Sequence, residues 1–273
     1  MLADAIAAER FRLLRDRSAL FWGFCFAPLV GFFLAIGGDL FVRNIIKRPF
    51  PGASVDLAGQ VIKALGNGAS TMAVLFLMIG AASILAGDYR WETWRLRTPR
   101  NSRFNLLAAK LIVIGEAVLW NLVLTVALTL AAAVIGAGIN TKAIVLSAAG
   151  SGVAQIAGVF VVTWLEVMSL AALAACMAVV ARSPMAAVVV CLVVRFVQSI
   201  LSAALGMTPE PTWKALAIPA YDADLLRALV TAPSHAGLDG GPAGWALLVL
   251  LGWTAALTAG AIVMFQRQDL TRE

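Results

Sequence analysis

The stretch Gly87–Lys110, GDYRWETWRLRTPRNSRFNLLAAK, decides the fold. It gathers six basic residues, two tryptophans and a proline. Before it runs LGNGASTMAVLFLMIGAASILA, Leu65–Ala86, without one charged residue, and a second long apolar run follows it. Charge concentrated between two such runs reads as a loop outside a membrane joining two spans. The tryptophans suit the headgroup region, and the arginines are left to face water or a partner.

The whole chain agrees. Of 273 residues, 61% are hydrophobic and 13% charged, and the mean hydropathy is +0.90. A soluble domain carries about 25% charged residues, and a soluble surface cannot hide this much apolar area. A bilayer core about 30 Å thick takes about 20 apolar residues per helix. Six runs qualify: 18–41, 69–87, 105–138, 144–181, 185–206 and 244–265. The third and fourth exceed what a bilayer requires, so they tilt or project beyond it. With no water to satisfy the backbone in lipid, the spans are helices. The expected fold is an all-α integral membrane protein, one domain over residues 1–273, with no internal repeat.

An even number of spans puts both termini on one side. That side carries thirteen of the 21 lysines and arginines, the other seven, and Arg195 lies within a span. The bias predicts cytoplasmic termini and a cytoplasmic Gly87–Lys110. These charges flank spans, so the basic excess points to topology rather than to nucleic acid. The first apolar run is too long for a signal-peptide core and follows a basic segment, which reads as an uncleaved anchor. Cys25, Cys176 and Cys191 lie in spans without metal-ligand spacing and read as small packing residues.

Residues 2–17 read as a short helix with Leu2, Ile6 and Leu13 on one face. It is either a solvated basic leader or a helix lying along the membrane surface. In span one, Ala19, Gly23, Ala27, Gly31 and Ala35 recur every four residues, a spacing that admits a close neighbour, and Pro28 predicts a kink. The outer segment 42–68 contains DLAGQVIKALG, an amphipathic helix capped by Asp56 and ended by Gly66. The outer segment 207–243 is proline-rich, with a short helix from Asp222 and the only histidine, His235, read as a surface residue.

Glu116, Glu166 and Arg195 fall deep in spans, where ionisable residues are costly and face protein or water. Gln198, Ser199 and Ser202 continue one helical face from Arg195. This stripe either pairs internally, with Glu166 or Glu116 meeting Arg195, or lines a path for polar cargo. The sequence has no GxxxxGK[ST], HExxH or GxSxG motif. A transporter of this kind is ion-driven or borrows an engine.

In four places the chain resembles the permease subunits of ABC-2-type transporters. They are the leader ERFRLLRDR from Glu9; the series Asp88, Thr93, Pro99, Ser102, Arg103 and Lys110; VVARSPMAA between spans four and five; and the terminal FQRQDL with Phe265 and Asp269. Asp88 stands where the family has Glu, and Glu92 where a Gly precedes the Thr. The resemblance implies a cytoplasmic coupling helix at about 89–98, between spans two and three, which docks ATPase subunits through Asp88, Trp91, Glu92, Trp94, Arg95, Arg97 and Arg103. It implies an interfacial elbow built on Glu9, Arg12 and Arg15, and short outer helices between spans five and six. The implied partners are two ATPase subunits holding ATP and Mg, a second permease (identical or not) and membrane lipids. This chain itself would hold no cofactor or metal and would not be an enzyme. The expected place is the bacterial inner membrane and the expected activity export. Competing readings are an ion-coupled secondary carrier, a membrane-embedded enzyme and a scaffold.

Overall fold

The computed structural model describes residues 2–46, 54–90, 101–147, 152–206, 212–231 and 240–268. Six helices are long and apolar enough to cross a membrane: Arg17–Ile45, Thr71–Tyr89, Arg103–Asn140, Val153–Ala181, Pro184–Leu205 and Pro242–Arg267. The chain is a multi-pass, all-α membrane protein. The fourth span begins nine residues later than the apolar run that predicted it, because Ala143–Val145 is a strand.

Helix α1 covers Leu2–Arg15. The first span is composite: α2 (Arg17–Leu20), a π-helical turn at Phe21–Cys25, α3 (Phe26–Phe41) and a second π-helical stretch at Val42–Ile46. Strand β1 (Ser54–Asp56) leads into α4 (Leu57–Gly66), then α5 (Thr71–Arg90) and α6 (Arg103–Asn140). Strand β2 (Ala143–Val145) precedes α7 (Val153–Ala181) and α8 (Pro184–Leu205). Short helices α9 (Trp213–Leu216) and α10 (Pro219–Thr231) come before α11 (Gly240–Arg267). The two strands pair in parallel, Ser54 opposite Ala143, and tie the connection between spans one and two to that between spans three and four.

Local chemistry sets the ends. Asp56 caps α4 by accepting from the Gly59 amide at 3.1 Å, as its sequence predicts. Ser102 caps α6 through the Asn105 amide at 3.2 Å. Between α7 and α8 only Arg182 and Ser183 remain; Arg182 is left-handed at φ 50°, and Ser183 caps α8, whose first residue is Pro184. A proline there loses no helical hydrogen bond.

The first span breaks earlier than Pro28. Pro28 has no amide hydrogen for the Phe24 carbonyl, four residues back, and the ladder widens to a π turn over Phe21–Cys25. The freed carbonyl accepts instead from Asn121 Nδ2 of α6 at 2.6 Å, the kind of rescue that lets proline persist in a membrane helix. At this level α5 crosses the first span with no room for a side chain: a Cβ on Gly23 would stand 2.5 Å from Gly80 Cα. The small-residue stripe therefore does its close packing at Ala19 and Gly23 only. Farther along, Gly31 and Ala35 are exposed.

The axis of the bundle is α7. Of its apolar window 67% is buried, against 11% for α8 and for α11. Trp164 donates to the Gly115 carbonyl of α6 and Thr163 to the Leu65 carbonyl of α4. At about 57 Å, α6 is far longer than a bilayer core. Helix α1, the end of α5, the start of α6, the α7–α8 turn and the end of α11 share one end of the bundle, the terminal end. The strands and α4 lie at the far end.

Candidate functional site

Two buried ion clusters stand out. The first is at the terminal end. The buried stripe of α1 is Ala5, Glu9 and Leu13, so the face that enters the protein carries an acid at its centre, whereas Leu2 and Ile6 are only half-buried. Glu9 meets Lys110 Nζ at 3.4 Å and Arg12 at 3.1 Å. Lys110 lies 2.8 Å from Asp88 Oδ2, and Arg12 lies 3.1 Å from Asp88 Oδ1. Lys110 also donates to the Ile84 carbonyl at 2.5 Å. Asp88 and Lys110 are wholly buried and Glu9 nearly so. Burial alone would lower the Arg12 pKa; Glu9 and Asp88 more than offset it, so the guanidinium holds its proton more tightly than usual.

Two acids and two bases thus join α1 to the last turn of α5 and the second turn of α6. Those are the two helices that flank residues 91–100. Trp91, Glu92, Trp94, Arg95 and Arg97, the predicted docking residues, lie outside the described residues. Arg15 stacks over Phe11 at 5.6 Å on the open side of α1, where Phe11 and Leu14 are both exposed.

Arg103 serves the fold. Its NH1 donates to the carbonyls of Phe265, Gln266 and Gln268 at 3.1, 3.0 and 2.5 Å. It caps the C-terminus of α11, where helical carbonyls lack partners and positive charge is favoured. Gln268 then accepts from Tyr89 Oη at 2.8 Å and donates to the Val179 carbonyl at 3.0 Å. Spans two, three, four and six are laced together at this end.

The second cluster lies midway along α7 and α8. Arg195 NH1 donates to Glu166 Oε1 at 2.6 Å, and Arg227 of α10 pairs with Glu166 Oε2. Arg227 also donates to Asp224 Oδ1 at 3.0 Å and to Thr163 Oγ1 at 3.3 Å. Ser202 donates to Asp224 Oδ2 at 2.9 Å. Two arginines balance two acids, and α10 is pinned to α7 and α8 together.

Of the polar stripe, Arg195 and Ser202 join this network. Ser199 bonds the Phe196 carbonyl of its own helix, and Gln198 is half-buried with no hydrogen-bond partner among the described residues. Glu116 does not meet Arg195. It accepts from Arg10 Nε at 2.6 Å, and Arg10 is more than half exposed. Glu116 thus turns toward α1 and stays about a third exposed rather than entering the bundle interior.

Arg227 and Asp224 were not legible as interior residues. The surrounding helix sits deep because α9 and α10 fold back into the bundle. Trp253, midway along α11, donates to the Ala217 carbonyl at the turn between them. From there α10 runs antiparallel to α7 until Gln155 reaches the Thr231 carbonyl. A Cβ on Gly158 would sit 2.7 Å from Val230, so α7 must have glycine where α10 crosses. Tyr221, Asp222 and Leu225 of α10 are fully buried. The Asp222 carboxylate and the Tyr221 hydroxyl have no hydrogen-bond partner among the described residues. Also among the described residues, no group of three or more His, Cys, Asp or Glu could hold a metal.

Neither a scan against protein-family models nor a search of curated proteins returns a significant match.

Proposed function

We propose that this chain is the permease subunit of an ATP-binding cassette exporter, a passive bundle moved by separate ATPase subunits. The observation that carries the reading is the terminal-end cluster. Glu9, Arg12, Asp88 and Lys110 bind α1 to both helices that flank the basic segment 91–100. A force applied to that segment would reach α1, α5 and α6 as one body. The segment supplies Trp91, Glu92, Trp94, Arg95 and Arg97 for docking, with Asp88 anchoring it from inside, while Arg103 acts as a cap. In this reading the terminal end is cytoplasmic, the membrane is the bacterial inner membrane, and α1 is an elbow whose exposed Phe11 and Leu14 enter the headgroup layer. A second permease, identical or not, completes the translocator, and ATP with Mg is held by two partner ATPases. The helices α9 and α10 act as a re-entrant outer gate. Glu166 latches α10 to the bundle, and cargo passes along α8 beside Arg195, Gln198, Ser199 and Ser202.

The test is co-expression with a partner ATPase subunit, sought among the products of neighbouring genes. Reversing the charge of Arg95 and Arg97 should abolish co-purification and stimulated ATP hydrolysis while the subunit still inserts at normal yield. Undiminished co-purification and hydrolysis would refute the docking assignment.

One observation favours a second reading, an ion-coupled carrier. The Glu166–Arg195–Arg227–Asp224 network is the type of intramembrane acid–base chain that relays protons. Uptake or efflux by the chain alone in proteoliposomes, driven by a proton gradient without any ATPase, would establish that reading and exclude the first.

A further inference from the structure

One large cavity is unrelated to either ion cluster. It measures about 750 Å³ and lies in the far half of the bundle, among α3, α4, α5 and α6. Its origin is geometric. The first span and α5 touch backbone to backbone at Gly23 and Gly80. Beyond that crossing α3 leans on α6 instead. Asp39 accepts from Asn140 at 3.0 Å and leaves no room for a side chain at Gly136, where a Cβ would stand 2.2 Å from its carboxylate. Arg43 donates to the Ile139 carbonyl at 2.6 Å. With α3 held to α6, the gap stays open between α3 and α5, and α4 roofs it.

The walls divide by chemistry. Along the depth they are mainly apolar, with Gly31, Ala35, Phe76 and Ala133, interrupted on α6 by Thr125 and Thr129. No atom lies within 4 Å of where a Gly31 side chain would begin. At the roof and rim stand Lys63 and Lys142, with Asp39 as the one opposing acid. Lys63 is exposed and makes no ion pair among the described residues. A tall, mainly apolar slot between membrane-spanning helices, with net positive charge among the ionisable residues of its rim, matches one occupant in shape and charge. Its volume is also in the range of sites that bury a ligand.

We propose that this cleft is a binding site for an anionic phospholipid of the far-end leaflet, one acyl chain in the slot and the phosphate at Lys63 and Lys142. The lipid fills the wedge that the Gly23–Gly80 crossing opens and fixes the splay of the first span. The inference does not depend on the ATPase reading.

The test uses the full-length chain purified in detergent, incubated with phosphatidylglycerol or phosphatidylethanolamine, and read by native mass spectrometry. The wild type should retain phosphatidylglycerol over phosphatidylethanolamine. Lys63→Gln and Lys142→Gln should each lower that preference about fivefold, the factor a basic residue near an anionic headgroup supplies. Gly31→Trp should remove the retained lipid without lowering the melting temperature, since its position is open, while Val193→Trp on exposed α8 should change nothing. Equal retention of both lipids by the wild type would overturn the proposal, as would full retention by Gly31→Trp. Loss of a dimer in Gly31→Trp with the lipid still bound would assign the cleft to a second copy of the chain, and also overturn it.

Discussion

Glu166 carries two arginines, and that asymmetry makes a quantitative prediction. Replacing Glu166 by Gln leaves Arg195 with no acid and Arg227 with Asp224 alone. Arg195 is buried at 8% exposure, and its Nε has no hydrogen-bond partner, so nothing local replaces the lost carboxylate. Removing one partner of a buried pair costs about 3–5 kcal/mol. Arg195→Leu is milder, because Glu166 keeps Arg227 and the leucine packs where a charge was buried; about 1–2 kcal/mol is expected on the same reasoning. Arg227→Leu should fall between, since it strips Asp224 as well but also frees α10. The double variant Glu166→Gln/Arg195→Leu should recover part of the Glu166→Gln loss. The assay is thermal unfolding in detergent followed by tryptophan fluorescence. At about 2–4 °C per kcal/mol for a chain of this size, Glu166→Gln should melt on the order of 10 °C below wild type. A Glu166→Gln protein within about 2 °C of wild type would refute the reasoning. So would an Arg195→Leu protein that melts lower than Glu166→Gln.

Two further predictions concern the first span. Asn121→Leu strands the Phe24 carbonyl and should cost about 1–3 kcal/mol; adding Pro28→Ala restores a backbone donor at position 28, so the double variant should melt above Asn121→Leu alone, and a lower melt would dismiss the rescue. Gly23→Val drives a methyl into the Gly80 backbone, within 2.5 Å of its Cα, and should sharply reduce the yield of inserted protein, whereas Gly31→Val, with open space beside it, should express normally; equal yields would place the helix crossing elsewhere.

The spans were legible because length and hydropathy alone decide them, and the observed boundaries differ from the apolar runs by at most four residues except at the start of the fourth. There, Ala143–Val145 is apolar enough to extend a span but pairs with Ser54–Asp56 as a strand, and no single-segment pattern reveals a partner about ninety residues away. The Asp56 cap and the α4 helix were legible for the opposite reason: capping is local. What the sequence concealed is where polar residues point. DADLLRALV, from Asp222, reads only as a short helix in a proline-rich outer segment. Packed against α7, α8 and α11, the same helix turns its Asp224–Arg227 face inward toward Glu166. Arg195 gave a signal because a charge inside an apolar run is anomalous; Arg227 gave none because its surroundings are mixed. Glu116 misled for a related reason. Its depth was counted along the helix, but depth does not say which way a side chain faces, and Glu116 turns to Arg10 of α1.

Both clusters separate along lines that keep their charges paired. At the terminal end each acid meets both bases; parting α1 from α5 and α6 breaks Glu9–Lys110 and Arg12–Asp88, but Glu9–Arg12 leaves together on α1 and Asp88–Lys110 stays paired between α5 and α6. The mid-bundle cluster behaves alike. Sliding α10 away breaks Glu166–Arg227, yet Glu166 retains Arg195, and Arg227 leaves together with Asp224, its partner one turn earlier in the same helix. Neither side of the break is left with an unpaired charge. In either opening α7, which supplies Glu166, stays fixed to α4 and α6 through Thr163 and Trp164. Because the α10 joint separates into two balanced pairs, its free energy should respond weakly to salt but strongly to Asp224→Asn. That substitution removes the acid Arg227 takes with it, so α10 should become more resistant to protease, and greater cleavage of α10 in Asp224→Asn would count against a balanced latch.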